Sequence, residues 1–310
     1  MKGLKNKMKS LHMPISTTMV SLTEADSLNK LDISPYQILG SVFKKGNFKK
    51  YTLSYALKSG QKYFVKTASL SDERNLETLN REISIYQTLM KTKNSYNKKD
   101  IAIPRYKTSI LRNDLLSLVI QEVEGESILK RNISKRVEVY SKCIKFVREL
   151  GDKVNSEDLK LIGKRTVFQE VVMYPFLLAV SLHRNPKHFL LLLKGGKFFA
   201  LNFLRILTNP RYVLTHRDLH GENILVGDKK IYIVDWENAR YADSYMEYVV
   251  ILLATWSSKR SRNYFLSFLE DKKKAASLII KMATHYLTEE RVPNWKKKDY
   301  LDAITWAIKV

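Results

Sequence analysis

Residues 215–240 read THRDLHGENILVGDKKIYIVDWENAR, with His216, His220 and four acidic residues ahead of Trp236 set between apolar runs. Carboxylates and amides in an apolar frame are costly to desolvate unless a charge or hydrogen bonds compensate them. Asn223 lies five residues after Asp218, and Asp235 lies twelve beyond Asn223 at the end of an apolar run. Two hairpinned strands would bring all three to one end of the hairpin. That makes an oxygen-rich site suited to Mg2+, which takes one or two carboxylate or amide oxygens together with substrate phosphates. Any one of these residues alone reads as a turn cap. The whole string, H-x-D-x-x-x-x-N followed by an apolar strand ending in Asp, is the arrangement used for phosphoryl transfer. In it a loop Asp accepts the proton of the attacking hydroxyl, and the Asn and strand-end Asp hold metal.

The elements around the string follow from periodicity. Within residues 36–66, YQILGSVF, FKKYTLSYAL and QKYFVK read as three antiparallel strands joined by Gly-containing turns. From Ser71, a plausible N-cap, Leu76, Leu79, Ile83, Tyr86 and Met90 recur with the helical period. The strands IPRYKTSIL and LLSLVIQEV follow, separated by the turn residues RND. Helix-length apolar periodicity marks 133–149, 166–183, 188–207 and 245–258, with RNP breaking the chain at 184–186. The expected architecture is a bilobal α+β fold. A basic N-terminal extension over 1–35 precedes a five-stranded antiparallel β lobe with one helix over 36–124, and a mainly helical lobe over 125–310 holds the quoted loop.

Composition bounds what the loop can mean. A chain of 310 residues, 45% hydrophobic and 27% charged, is expected to be globular with two lobes. The single cysteine, Cys143, forbids an intrachain disulfide, suits a reducing compartment and reads as core filler. The formal charge of +23, from 54 Lys+Arg against 31 Asp+Glu, draws in anions: nucleotides, nucleic acid, acidic sugars or anionic lipid. The opening MKGLKNKMKSLHM is basic but lacks the apolar core of a secretory signal, and no charge-free apolar run reaches the roughly 20 residues that span a bilayer. A cytoplasmic monomer is the expectation.

HRDLHGENIL with IVDWENARYAD resembles the aminoglycoside phosphotransferase and choline kinase-like family of the protein-kinase-like fold, over about residues 36–250. The resemblance implies ATP and Mg2+ as cofactors, Asp218 as catalytic base, Asn223 and Asp235 as metal ligands, and His216 as a prop for the loop. It also calls for a lysine on the third strand paired with a glutamate on the following helix. Lys66 in YFVKTAS and Glu82 in NREISIY stand in those places, sixteen residues apart, to hold the α and β phosphates and to orient that lysine. QEVEGE puts Gln121, Glu122 and Val123 at the connection whose backbone would hold the adenine. The phosphate-covering turn departs from the family pattern. G-x-G-x-x-G is absent, and GSVFKKGNFKK offers only Gly40 and Gly46, with Lys44, Lys45, Lys49 and Lys50 as a source of charge.

His220 stands two residues after Asp218, where Ser/Thr protein kinases carry lysine, and NARYADSYMEYVVILLAT leaves no room for a long activation segment. Both features favour a small-molecule acceptor over a peptide. Residues 171–217 contain no Asp or Glu but do contain Arg184, Lys187, Lys194, Lys197, Arg205, Arg211 and Arg217. A neutral or anionic hydroxyl acceptor is therefore expected, whether small molecule, sugar or glycolipid, rather than a polycationic aminoglycoside. FLLLLKGGKFFALNFLRIL reads either as a buried helix pair with lysines at its ends or as a segment resting on the anionic inner membrane surface. A lipopolysaccharide-type sugar kinase is the membrane version of the reading. Trp256, Trp295 and Trp306 would either cage a quaternary ammonium or fill core. Two other classes stand against this: a pseudokinase or nucleotide-binding scaffold, which the retained Lys66, Glu82, Asp218, Asn223 and Asp235 oppose, and a nucleic-acid binder, for which only charge speaks.

Overall fold

A computed structural model describes residues 32–45, 50–92, 97–154, 157–158, 162–208, 210–289 and 292–310. Gly46, Lys49 and the basic extension up to residue 31 lie outside the described residues. Strands β1 (Gln37–Lys45), β2 (Lys50–Lys58) and β3 (Gln61–Ser69) precede helix α1 (Glu73–Met90). Strands β4 (Ile101–Ala102), β5 (Tyr106–Arg112), β6 (Leu115–Gln121) and β7 (Glu126–Ser127) follow. Helices α2 (Ile133–Gly151), α3 (Val167–Arg184) and α4 (Phe189–Leu207) lead to β8 (Tyr212–Thr215), β9 (Ile224–Val226), β10 (Ile231–Ile233) and β11 (Arg240–Asp243). Then come α5 (Tyr245–Ala254), α6 (Lys259–Leu266), α7 (Lys272–Leu287) and α8 (Asn294–Ala307).

The chain forms two compact units. One joins the described residues up to Lys130 with Glu222–Glu237; the other joins Arg131–Gly221 with Asn238–Val310. Contacts thus group residues 125–130 and 222–237 with the β-rich part, whereas a cut along the chain at Glu124 sends them to the helical part.

The first unit contains a five-stranded antiparallel sheet in the order β1-β2-β3-β6-β5, with α1 inserted after the third strand as its periodicity predicts. Ser59 and Gly60 turn β2 into β3 at φ 51 and 76, and Asn113 and Asp114 turn β5 into β6 at φ 49 and 59, as tight hairpins require of both central residues. Helix α1 starts one residue later than expected. Asp72 is its N-cap and accepts from the Asn75 amide, while Ser71 shares a hydroxyl contact with Ser69. Ile33 is buried against Tyr36, Tyr63 and Val65, so the described end of the 1–35 extension packs on the sheet.

A second sheet, β4-β10-β9-β7, holds the hairpin that carries Asp235. Its outer strands are two residues each, too short to show a period. The connection at Glu124–Gly125 passes close over the hairpin turn: a Cβ on Gly227 would stand 2.6 Å from the Glu124 carbonyl oxygen, so glycine is required there.

In the second unit α5 is buried almost all round, as its run of apolar residues dictates, and α7 packs against α3, α4, α5 and α8. Strand β8 pairs with β11, Thr215 opposite Arg240, which fixes the start of the loop that follows.

Candidate active site

In the first unit β3 buries Tyr63, Val65, Lys66, Thr67 and Ala68, so the lysine enters an apolar environment and needs anions there. It finds three. Lys66 Nζ donates to Glu82 Oε2 at 2.9 Å, Asp235 Oδ1 at 3.0 Å and Glu237 Oε2 at 2.7 Å, with the Tyr51 ring centroid 4.5 Å away. The expected Lys66–Glu82 pair is therefore present, and Asp235 joins it. Sequence reading missed Glu237; its signal was a second acid two residues after the strand-end Asp.

The charges in this cluster do not balance. Burial alone would push the Lys66 ammonium down, but the Asp235, Glu82 and Glu237 carboxylates together hold it well above its ordinary range. Burial pushes Glu82 up to about 7 despite Lys66, and the neighbouring Asp235 and Glu237 charges add to that. One ammonium against three carboxyl groups leaves a surplus of negative charge even with Glu82 partly protonated. The oxygens of Glu82, Asp235 and Glu237 lie within 4.8 Å of one another, and hard oxygen donors with that surplus fit Mg2+ in both sign and chemistry. Asp235 is the open member, with its side chain 32% exposed. Its backbone sits at φ 62, a conformation that costs a non-glycine residue on the order of 1 kcal/mol and persists where surrounding structure imposes it. Trp236 anchors the turn, buried and donating Nε1–H to the Ile233 carbonyl at 3.0 Å.

Asn223 is buried, and its carbonyl accepts the Val234 amide at 3.0 Å where Ile224 pairs with Ile233. The hairpin thus brings Asn223 and Asp235 to the same end. At the connection, Gln121 N–H donates to the Arg105 carbonyl and Glu122 N–H to the Lys62 carbonyl, so both amides are committed to the fold and Val123 follows them.

In the second unit the loop after β8 is held by its backbone. Glu247, buried on α5, accepts the His216 amide at 2.6 Å and the Arg217 amide at 3.3 Å. Burial pushes the Glu247 carboxyl up to about 7, against the pull of those two amides. Its signal in the sequence was a lone acid in the apolar run YMEYVVILLA. His216 is fully buried, and Arg217 takes φ 64. The Asp218 carboxylate faces His220 Nε2 at 3.3 Å and accepts from Asn238 Nδ2 at 3.4 Å, and its carbonyl accepts the His220 amide at 2.8 Å.

Beside this loop Glu170 on α3 gathers three cations: Arg165 Nε at 3.1 Å, Arg217 at 2.9 Å, and Lys281 of α7 on its other oxygen. Burial works against its ionisation, yet Lys281, Arg217 and Arg165 hold the Glu170 carboxyl down at about 2. Burial and Lys281 likewise hold His285 down at about 4. Tyr286, in the last turn of α7, and Glu289, just beyond that helix, lie within the field of Asp218, and each has its acid form favoured first by burial and then by that charge.

The tryptophans do not form a cage. Trp256 and Trp306 meet edge to face at 5.8 Å with Trp256 buried, whereas Trp295 is 67% exposed three helical turns from Trp306. Cys143 is buried core, and burial pushes its thiol up. Of the seven basic residues in 171–217, Arg217 adjoins Asp218 and is paired with Glu170; Arg184, Lys187, Lys194, Lys197, Arg205 and Arg211 are exposed.

A five-stranded sheet bearing a lysine–glutamate pair and a helical part bearing an H-x-D-x-x-x-x-N loop define a protein-kinase-like phosphotransferase. The sequence profile of the phosphotransferase enzyme family matches residues 52–277, and the chain belongs to that family. No curated protein sequence matches it. Among solved structures, choline kinase LicA from Streptococcus pneumoniae is similar at 17% identity and a TM-score of 0.60, covering 93% of this chain and 100% of that one. ADP-bound aminoglycoside phosphotransferase APH(2'')-Ib is similar at 15% identity and 0.55, covering 92% and 97%. A thermostable mutant of aminoglycoside phosphotransferase APH(4)-Ia, in ternary complex with ADP and hygromycin B, is similar at 11% and 0.57, covering 93% and 98%.

Proposed function

We propose that this enzyme moves the γ-phosphate of ATP to a hydroxyl of a small molecule. The observation that carries the reading is the buried Lys66 ammonium bonded at once to Glu82, Asp235 and Glu237. Lys66 binds the α and β phosphates, and Glu82 holds it in place. Asn223, Asp235 and Glu237 hold Mg2+, which when bound neutralises charge on the transferred phosphoryl group. Gln121, Glu122 and Val123 face the adenine through carbonyl oxygens and the Val123 peptide, since the first two amides are already used. Asp218 takes the proton of the acceptor hydroxyl, with His220 and Asn238 fixing its carboxylate. His216 and Glu247 keep the loop backbone in place. A pseudokinase scaffold has no need of this full set.

The acceptor is better read as a neutral or cationic alcohol than as an acidic one. Six of the seven cations of 171–217 that suggested an anion are turned to solvent and the seventh, Arg217, is held by Glu170, while Glu289, Tyr286, Glu247 and His220 are among the groups that feel the Asp218 charge. Choline, the substrate in the name of one similar structure, carries a positive charge. A screen of amino alcohols, neutral sugars and acidic sugars with labelled ATP tests this, and transfer confined to acidic sugars would reverse it. With the acceptor in hand, D218N should keep its nucleotide affinity and lose turnover by about two or more powers of ten. Unchanged turnover would remove Asp218 from the chemistry.

A further inference from the structure

Helices α3 and α4 pack against each other, and each turns a second face outward. On α3, Phe168, Val172 and Phe176 recur every four residues on one stripe and are exposed, Phe176 at 64%. On α4, Leu190, Leu193, Leu201 and Leu204 are exposed, Leu201 at 74%, and helical spacing puts Lys194 and Lys197 on the same arc. The opposite side of α4 is clamped. Leu192, Gly195, Phe199 and Ile206 are its buried residues, and a Cβ at Gly195 would meet Ile304 and Ile280 at 3.2 and 3.4 Å. Single exposed apolar residues are ordinary, but repeated along one arc of two neighbouring helices they mark a contact surface.

Charge decides what covers it. Residues 171–217 contain no acid, and Lys194 and Lys197 have no acidic partner among the described residues. Arg205, further along, leans on Asp271 at 3.7 Å. A second copy of this chain on the same face would set lysine against lysine. A nucleic acid would meet phenylalanine and leucine where it needs polar groups. An anionic lipid surface suits both sets: the rings and leucines enter the boundary between headgroups and acyl chains, and the lysines extend their stems to the phosphates. Among the described residues no helix is long and apolar enough to cross a membrane, so contact of this kind lies along the surface. We propose that the outward faces of α3 and α4 dock the enzyme on an anionic bilayer, whatever its acceptor is.

Flotation of the full chain with phosphatidylcholine vesicles, with and without phosphatidylglycerol, tests this at low and high salt. Binding is expected to the mixed vesicles, to weaken with salt, and to be at least about tenfold poorer on phosphatidylcholine alone. K194E/K197E should lose that preference by at least about tenfold. F176S/L201S, which removes exposed side chains only, should weaken binding by about tenfold or more, with its melting curve and nucleotide affinity unchanged. Absence of binding to the mixed vesicles at low salt would overturn the proposal. So would parent-like binding by both double variants, a dimer dispersed by F176S/L201S, or binding to polynucleotide in place of vesicles.

Discussion

The two units each bury a knot of charge, and the two knots are opposite in sign. Around Lys66 one cation meets three carboxylates; around Glu170 one carboxylate meets three cations. The same residue type consequently responds in opposite directions, with Glu82 pushed up to about 7 and Glu170 held down at about 2. Closure differs too. Asp235 leaves the first knot partly open, whereas Glu170 and Lys281 are sealed at the centre of the second. An open site with surplus negative charge is ready for a cation and a nucleotide. The closed one with a fully paired carboxylate ties Arg217, itself the strained loop residue beside Asp218, to α3 and α7.

That contrast breaks first at Glu170. E170Q leaves three cations without their anion and should cost about 3–5 kcal/mol in urea unfolding, the scale of a buried pair losing one partner. Acid should sharpen the same point. The folded pKa of Glu170 is depressed from its ordinary 4.5 to about 2, so its contribution is complete above about 4.5 and is lost as pH falls towards 2. Wild type should shed about 3 kcal/mol across that window relative to E170Q, read from unfolding curves at stepped pH. The smallest effect belongs to the other knot. E82Q removes one carboxylate from a set in surplus, and Lys66 keeps Asp235 and Glu237. Its metal-free stability should stay within about 1 kcal/mol of wild type by the same measurement, while its MgATP affinity falls, because orientation of Lys66 is what it loses. A loss as large as that of E170Q would make the two knots alike.

The sequence displayed those parts of the site whose neighbours are local or whose spacing is unusual. Lys66 and Glu82 were legible because the family resemblance calls for a lysine–glutamate pair on the third strand and the next helix, and alternation and helical period locate those two elements. Asn223 and Asp235 were legible because a hairpin fixes their separation. Glu170 was not, because its partner Lys281 lies 111 residues away, and nothing in either segment names the other. Strands β4, β7 and β11 are too short to carry a period, so the smaller sheet and the pairing of β8 with β11 went unread. The basic run in 171–217 was legible as charge but not as placement, since composition cannot say which side of a helix faces solvent.

The hairpin at Glu222–Glu237 reaches the first unit only after most of the second has been made. Lys66 and Asp235 are 169 residues apart. At the usual elongation rate of about 5–20 residues per second, roughly ten to thirty seconds separate the two on the ribosome. During that interval the emerging β unit has the lysine and Glu82 but neither Asp235 nor Glu237, and strands β4 and β7 have no hairpin to join. A fragment stopped at Lys130 would stay in that half-built state, its lysine keeping one carboxylate of three.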